Sequence, residues 1–458
     1  MIRGIQLMIR QEWRLLSRDK MVWLVLAIFA GLSVLGTRNG IDHVNARSAA
    51  WNASFSEETR KRANFKQVDA GFAGYELAHS VHMPAKSLGI LGVGQNALFP
   101  DQIQVSTVWS SLRQSRETIE NPLLLAVGII DVSFIVVYLV PLLVIAWLFD
   151  LLSSERERGT LPLMLMQSAH LPTLFAVRIG LRLALIMGVL FGVILLVTPG
   201  DLLKHFDFLI WSGACLAWAM LWCGLTLLVN SFRLSSPTNA VLLVSVWLFG
   251  LVLLPSLTSL TISSVYPVPS RLEMVVASRE AESSAERDRK RHLVEFLSQN
   301  PKLREKVATS GAASGDFSWP EWILMMQTAE RSTAKIRKRY NDQLAHQEQF
   351  VDSIHALLPG AFMQVTLDEI CGVSRKRHID FERQAADFNA EWSTYFQNRI
   401  FEGKQFGPQD LPSLPRFRYD IARDRRAEME SLGRLTTLFA AVAGLSLWGL
   451  RRVSKLQN

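Results

Sequence analysis

A group of alternating charges follows directly on a long apolar run, and its residues are suited to contact another protein. The run E-R-E-R-G-T occupies Glu155–Thr160. Ser154 stands three residues before Glu157, which is the spacing of a helix capping box, and Gly159 is suited to end a helix. We therefore predict a short helix whose charges are exposed. A charged loop without a partner is the alternative interpretation.

Asp131 is a carboxylate within the apolar approach to another run, 132–149. An ionisable group at such a position is costly unless it faces protein or water, so Asp131 is a candidate for a substrate path or a gate. Its position near the outer boundary favours the alternative, an interfacial carboxylate that snorkels outward or pairs with another helix.

Two other polar groups are weaker candidates. Arg375–His378 lie near Cys371 and could bind an anionic ligand or a partner, but such a charge run is usually a solvated face. His79 and His82 would share a face of a helix, and Glu76–Met83 contains both. Nothing else completes a ligand set, so we predict no metal site.

Several catalytic motifs are missing from the sequence. It has no G-x-x-x-x-G-K-[ST], no G-x-S-x-G and no H-E-x-x-H run. We therefore predict no catalytic residues, no enzyme activity and no cofactor in this chain. The three cysteines form no zinc or disulfide pattern. The net charge of +8 does not indicate nucleic-acid binding, because many basic residues flank apolar runs.

Apolar runs must position these groups. The mean hydropathy of +0.18 averages stretches that are almost free of charge with stretches crowded by it. A bilayer core of roughly 30 Å needs about 20 apolar residues, and neutral flanks extend the shorter runs. We predict an all-α integral membrane protein with six transmembrane helices, built on Met21–Leu35, Val132–Phe149, Leu183–Val197, Phe208–Val229, Ala240–Leu254 and Thr436–Leu450.

Basic residues predict the orientation of these spans. With six spans, four sets of Arg and Lys fall on one side, which the positive-inside rule makes cytoplasmic. Both termini are then cytoplasmic. Residues 1–20 carry apolar side chains at spacings of three and four with arginines on another face, which predicts an N-terminal interfacial helix. A simple orientation signal is the alternative.

The predicted spans divide the chain into segments with different surroundings. After residues 1–20 and the first span at 21–36, a first extracytoplasmic segment covers 37–121 and spans two to five occupy 122–254. The cytoplasmic segment 153–172 lies between the second and third spans. Then come a mainly helical extracytoplasmic domain at 255–432, the sixth span at 433–450 and a cytoplasmic tail at 451–458.

The charged run in this topological place resembles the coupling segment of the ABC type-2 permease family. Gln11–Arg14 (Q-E-W-R) is also similar to that family. Three further phrases resemble a subgroup with a large extracytoplasmic domain before its last span: Leu88–Pro100, Tyr266–Glu273 and Leu357–Phe381. Asn96 departs from that pattern, because an acidic residue is expected there.

The resemblance implies a permease subunit of an ATP-driven exporter. It implies that Glu155, Glu157, Gly159 and Thr160 contact a separate ABC ATPase subunit, which would carry ATP and Mg²⁺. It also implies a second permease chain, identical or different, in the cytoplasmic (inner) membrane of a bacterium. The alternative is a membrane-anchored sensor or scaffold whose extracytoplasmic helical domain binds a partner protein, because roughly half of the chain lies in the two predicted extracytoplasmic segments.

Overall fold

The computed structural model describes residues 2–94, 101–107, 130–160, 171–198, 202, 206–267, 271–310, 318–354, 358–420, 433–434, 436–442, 444 and 448–449. The chain is predominantly helical there. The elements of its first part are α1 (Ile2–Arg18), α2 (Lys20–Ala63), β1 (Val68–Asp69), α3 (Ala70–Glu76), β2 (His79–His82), a 3₁₀ turn (Ser87–Ile90), β3 (Gln102–Val105), α4 (Val132–Phe134), a first π-helix (Ile135–Leu139), α5 (Val140–Leu148), α6 (Ser153–Glu157), α7 (Leu171–Val197) and α8 (Phe206–Asn230).

The second part is also helical. Its elements are α9 (Ser236–Leu248), a second π-helix (Phe249–Leu253), α10 (Leu254–Val265), α11 (Arg271–Arg287), α12 (Arg289–Gln299), α13 (Pro301–Ser310), α14 (Trp319–Ile354), α15 (Pro359–Cys371), α16 (Arg375–Phe401), β4 (Gln405–Phe406) and a 3₁₀ turn (Pro408–Ser413). The helices predicted between the fifth and sixth spans are confirmed as α11 to α14.

Five of the described helices are long and apolar enough to cross a membrane: Lys20–Ala63, Val132–Glu157, Thr173–Val197, Phe206–Asn230 and Ser236–Val265. They coincide with the first five predicted spans and are compatible with a multi-pass membrane protein. The sixth predicted span, at 433–450, is described only in part and stays a prediction. The 44 residues of α2 extend about 66 Å, so this helix continues well beyond a bilayer core.

The bundle core lies around α8, which is the most buried of these five helices. Trp211 and Trp218 are fully buried there. Pro141 has no N–H, so the carbonyl of Val137 lacks its usual helical donor. The indole of Trp218 donates to that carbonyl at 3.3 Å, and the indole of Trp247 donates to Tyr138 at 3.1 Å. Two neighbouring helices therefore satisfy carbonyls of the first π-helix.

The predicted amphipathic helix is confirmed as α1, which packs against α2 and α7. Leu16 is buried with Val22 and Leu26, while Ile9 and Trp13 remain exposed. An exposed apolar surface of this kind is compatible with a helix at a membrane interface. The interfacial location itself stays a prediction.

The two predicted extracytoplasmic segments share one hydrophobic core. β1 pairs with β4, and β2 pairs with β3, both antiparallel. Around them Phe65 and Val81 pack with Trp392 and Phe396 of α16. We call residues 65–107 and 271–420 together the helical domain. Its two small sheets were not expected, because their strands pair across long stretches of chain.

The helical domain contacts the bundle mainly through α15. Met363, Leu367 and Cys371 belong to the same buried cluster as the bundle core. A Cβ on Gly360 would come within 2.8 Å of the Leu251 side chain, so only glycine allows this close approach. The helical domain is therefore packed directly on the bundle, at the second π-helix.

Candidate functional site

The short helix α6 is fixed at its start by the ends of α8 and α9. The N–H of Leu152 donates to the side-chain oxygen of Asn230 at 3.2 Å. The hydroxyls of Ser153 and Ser236 are hydrogen-bonded to each other at 2.8 Å. Arg156 donates to the carbonyl of Leu234 at 2.7 Å. These bonds orient α6 against the turn between α8 and α9.

The Glu155 carboxylate joins α6 to α7. One oxygen accepts from both terminal nitrogens of Arg178 at 3.2 Å, and the other accepts from the Thr160 hydroxyl at 2.5 Å. The Arg178 Nε also donates to Glu12 of α1, and the Glu12 side chain is only 6% exposed. We call Glu12, Glu155 and Arg178 the charged joint. It connects α1 to α6 and α7, which come much later in the sequence.

The Glu157 carboxylate joins α6 to α9. It accepts from the backbone N–H of Ser236 at 2.7 Å and from the Ser236 hydroxyl at 2.9 Å. The first N–H groups of a helix have no intrahelical partner, and a carboxylate there also interacts favourably with the helix dipole. Glu157 therefore caps α9 rather than its own helix.

The predicted capping box is therefore wrong, although the predicted helix is present. The N-cap residue is Leu152, and no side chain caps α6. Ser154 does not fill that role because Ser153 and Glu157 are both bonded to Ser236 on the neighbouring helix.

Gly159 ends α6, as the sequence predicted. Its φ of +70° is favourable only for glycine, and its N–H donates to the Arg156 carbonyl at 3.0 Å. Thr160 then bonds back to the Glu155 carbonyl at 3.0 Å. Within the described part of the chain, no atom lies within 4 Å of a Cβ built on Gly159. The rest of the segment, 161–170, lies outside the described residues.

Asp131 lies at the opposite end of the same span and is buried. It accepts from the N–H groups of Phe134 at 2.7 Å, Val93 at 2.8 Å and Gly94 at 3.3 Å. It thus caps α4 and holds the loop that follows the first 3₁₀ turn. These contacts place Asp131 against protein backbone, and a role of Asp131 in a substrate path or gate stays a prediction.

The two histidines that suggested a shared helix face lie on a strand instead. His79 bonds to Glu58 at 2.6 Å, and His82 stacks on Trp51 with ring centroids 4.2 Å apart. The helix prediction for them is wrong because β2 pairs with β3, which comes about 20 residues later. Among the described residues, no group of three or more His, Cys, Asp or Glu side chains is arranged to hold a metal ion.

The run Arg375–His378 is only partly a solvated face. Arg377 is buried and donates to the carbonyls of Gly372 at 2.7 Å and Pro84 at 2.8 Å. His378 is buried beside it, and this burial lowers the pKa of its imidazole to about 4. Arg375 and Lys376 line a cavity. The expectation of a solvated face therefore fails for Arg377 and His378.

Three residues that bond with α6 or belong to the charged joint were not singled out by the sequence as site residues. Glu12 falls inside the Q-E-W-R run, Arg178 stands at the start of the third span, and Ser236 begins the fifth. For Glu12 and Arg178, the signal available in the sequence was a charged residue beside an apolar run. The pairing itself depends on tertiary contacts that no local pattern encodes.

Comparison with known proteins identifies part of the helical domain. Residues 271–420 match DUF3526, a domain of unknown function. The DUF3526 match covers about a third of the chain, from α11 to the end of the segment after the last 3₁₀ turn. No match was found among curated proteins or among solved structures. The charged joint and α6 lie outside the DUF3526 region.

Proposed function

We propose that this chain is the transmembrane permease subunit of an ATP-driven ABC exporter in a bacterial cytoplasmic membrane. A separate ABC ATPase subunit would bind ATP and Mg²⁺, and a second permease chain would complete the transporter. The observation that carries the proposal is the placement of α6. It is a short charged helix at the end of a membrane-length helix. It is bonded directly to α7 and α9, and Arg178 of α7 connects it to α1.

Under this proposal α6 transmits movement from the ATPase to the spans. Closure of the ATPase dimer on ATP would press on the exposed surface that includes Glu157 and Gly159. Glu155 passes a displacement to α7 and, through Arg178, to α1. Glu157 passes it to the first turn of α9. Ion pairs and caps of this kind hold the helix ends together, so the helices would move as a group.

Co-purification and ATPase assays test the proposal. The chain is expressed with the ATPase encoded beside it, and ATP hydrolysis is measured in the assembled complex and for the ATPase alone. Glu155→Lys is expected to reduce the ATPase stimulation by the permease at least tenfold. It places two cations together at the joint and reverses a charge on the contact surface. Glu57→Gln, at an exposed carboxylate far along α2, is the matched control and should keep the stimulation.

A complex whose ATPase activity is unchanged by Glu155→Lys would contradict the coupling role. If no ATPase associates with the chain at all, the transporter assignment itself fails. The fraction of folded protein in size-exclusion chromatography separates a loss of coupling from a loss of folding.

A sensor or scaffold is the second candidate, and the helical domain favours it. Residues 65–107 and 271–420 form a common core, and helix α14 extends about 54 Å over 36 residues. A domain of this size can bind a protein partner without any transport. Association with a kinase or a secretion component, and not with an ATPase, would support this function.

A further inference from the structure

The part of α2 beyond the first predicted span, residues 37–63, packs against the sheet formed by β2 and β3. We call it the outer part of α2. The side chains that contact or face the sheet recur at spacings of four and seven residues, which places them on one face of the helix. They are His43, Arg47, Trp51, Glu58 and Arg62. All but Trp51 are ionisable, so charge is concentrated at this contact.

An ion pair and a ring stack join successive turns of α2 to the sheet. The Nε of Arg47 donates to the Asp101 carboxylate at 2.5 Å, and Asp101 directly precedes β3. One turn later, the indole of Trp51 stacks on the imidazole of His82 in β2, with ring centroids 4.2 Å apart. Both strands of the sheet are thus connected to the same face of α2.

A third contact lies two turns further along α2. The Glu58 carboxylate is bonded to Nδ1 of His79 at 2.6 Å and to Arg62 of its own helix, and it accepts from the N–H of Ser80 at 3.4 Å. Burial acts to raise the pKa of Glu58, but the bond to His79 and the charges of His79 and Arg62 outweigh it, so the pKa is lowered. Glu58 therefore remains a carboxylate above its ordinary pKa of 4.5.

Two histidines near the Arg47–Asp101 pair are mainly uncharged at pH 7. Burial is the largest cause of the lowered pKa of His43; the charge of Arg47 lowers it further, and Asp101 acts in the opposite direction. Burial also lowers the pKa of His82, where Asp101 raises it and His79 lowers it. A pKa below the ordinary value of 6.5 leaves both imidazoles neutral at pH 7.

Protonation of these histidines would give the contact an excess of positive charge. At neutral pH the charges of Arg47 and Asp101 balance each other. Protonated His43 and His82 would add two positive charges, and the same Asp101 carboxylate faces both of them. Like charges at a partly buried contact repel more strongly than they do in water. Acid therefore opposes the contact between α2 and the sheet.

The neighbouring helix α16 does not compensate for this charge. His378 lies close enough to interact with Arg47 and Asp101, and Arg377 lies beside His378. Neither of these side chains brings a negative charge. The charges that α16 places near the ion pair are therefore of the wrong sign to stabilise additional cations.

The ring of His43 is also unsuited to an additional proton where it lies. Its Nε2 is buried, and no hydrogen-bond partner reaches this atom within the part of the chain that the structure describes. A protonated imidazole donates from both nitrogens, so the Nε2–H of charged His43 would have no acceptor. Burying a charged donor without an acceptor is unfavourable, and protonation therefore favours a state in which His43 reaches water.

We propose that His43, His82 and the Arg47–Asp101 pair form a pH-sensitive clamp, which holds the outer part of α2 on the β2–β3 sheet at neutral pH and releases it when both histidines are protonated. Helix α2 is continuous from the first predicted span to Ala63. Release therefore loosens the helical domain from that span. The inference does not depend on a transport role, because every group of the clamp belongs to this chain.

The linkage between proton binding and opening determines the direction and size of the effect. In the closed clamp the histidines have lowered pKa values, whereas the released histidines bind protons near the ordinary pKa of 6.5. The open state therefore binds more protons, and the equilibrium constant for opening rises as the pH falls below 6.5. The rise is at most about tenfold per pH unit for each histidine.

Hydrogen–deuterium exchange of the full chain in nanodiscs, between pH 7.5 and 5, measures this opening. Dividing the exchange rates of the β2 and β3 amides by their intrinsic rates at each pH yields the equilibrium constant for opening. We expect this constant to rise at least about tenfold between pH 7.5 and 5. Amides in the middle of α14, on the other side of the helical domain's sequence, should keep their protection.

Variants assign the effect to the two histidines. His43→Phe and His82→Phe each keep a ring but bind no proton, and His82→Phe can still stack on Trp51. Each should reduce the pH dependence of opening, and the double variant should abolish it. His292→Phe is the matched control, because His292 is a partly buried histidine of α12 outside the clamp. Melting temperature at pH 7.5 checks that each variant is folded, and the single variants remain informative if the double variant does not fold.

Three results would overturn the proposal. The first is an equilibrium constant for opening that does not rise below pH 6.5. The second is a rise that persists unchanged in the folded phenylalanine variants. The third is a loss of protection that is equally large in α14, because it would indicate acid unfolding of the whole helical domain and not release at α2.

Discussion

Replacing Arg178 by methionine is expected to be the most damaging change at the charged joint. Arg178 serves two carboxylates at once, Glu155 at 3.2 Å and Glu12 on a different helix. Methionine keeps most of the length of the side chain, so the packing along α7 changes little. The change then removes the cation and leaves both carboxylates without it.

The burial of Glu12 and Glu155 determines how much the free energy of unfolding falls in Arg178→Met. Breaking a buried ion pair by removing one partner costs about 3–5 kcal/mol, because the other charge remains buried. Glu12 is 6% exposed and carries this cost, whereas Glu155 is 21% exposed and can reach water. Arg182 is close enough to interact with Glu12 and offsets part of the loss. We therefore expect Arg178→Met to lower the free energy of unfolding by about 3 kcal/mol, the lower end of that range.

The thermal unfolding of the purified chain in nanodiscs measures this cost. A loss of about 3 kcal/mol corresponds to a fall in melting temperature of roughly 3 °C for a chain of 458 residues. Glu12→Gln alone should lower the free energy of unfolding by about 1–2 kcal/mol, because Arg178 remains paired with Glu155. Arg14→Gln, an exposed cation on α1, is the control and should change stability by less than about 0.5 kcal/mol.

The double variant decides whether the reasoning holds. When Glu12→Gln accompanies Arg178→Met, no uncompensated carboxylate remains buried on α1. The combined loss should then be smaller than the sum of the two single losses by about 1–2 kcal/mol. Additive losses would show that Glu12 and Arg178 do not interact. The charged joint would then not connect α1 to α7.

Three other changes test the packing and its pH dependence. Trp218→Phe removes the donor to a buried carbonyl of the first π-helix and should lower stability by about 1–3 kcal/mol, measured as melting temperature. Gly40→Ala should destabilise more than Gly31→Ala, because a Cβ at Gly40 would lie 1.9 Å from a backbone oxygen while Gly31 has nothing within 4 Å. The folded chain binds a proton at His378 only below its pKa of about 4, whereas the unfolded chain binds one below about 6.5. Melting temperature should therefore rise between pH 4 and 6.5, and His378→Asn should flatten that rise. A melting temperature that does not change between these pH values would contradict the burial of His378.

The sequence predicted the spans because apolar runs need no information from distant residues. Val132–Phe149 and Phe208–Val229 are recognisable from composition alone, and the glycine that ends α6 is recognisable from its place in a charged run. The same local reasoning failed for Ser154, where Ser236 of another helix takes the bonds that a capping box would have made. It failed again for His79, where a partner strand decides the conformation.

Long-range pairs are the part that no local pattern could predict. Glu12 and Arg178 are 166 residues apart, and Val81 pairs with Ile103 in a sheet that only the folded domain stabilises. The shared core of the helical domain depends in the same way on contacts between 65–107 and α16. The position of Glu12 and Arg178 beside apolar runs was a signal present in the sequence. It indicated that each charge has a partner, but it did not identify the partner.

The span that carries α6 also links the two ends of the bundle. It begins with Asp131, which holds the loop against α15, and it ends with Glu157, which caps α9. Between them lies the first π-helix, where the indoles of Trp218 and Trp247 donate to the carbonyls of Val137 and Tyr138 from two other helices. Because these tryptophans fix the irregular part, the span can carry a displacement from one end to the other without bending there. A chain that couples α6 to the helical domain would need a connection of this kind.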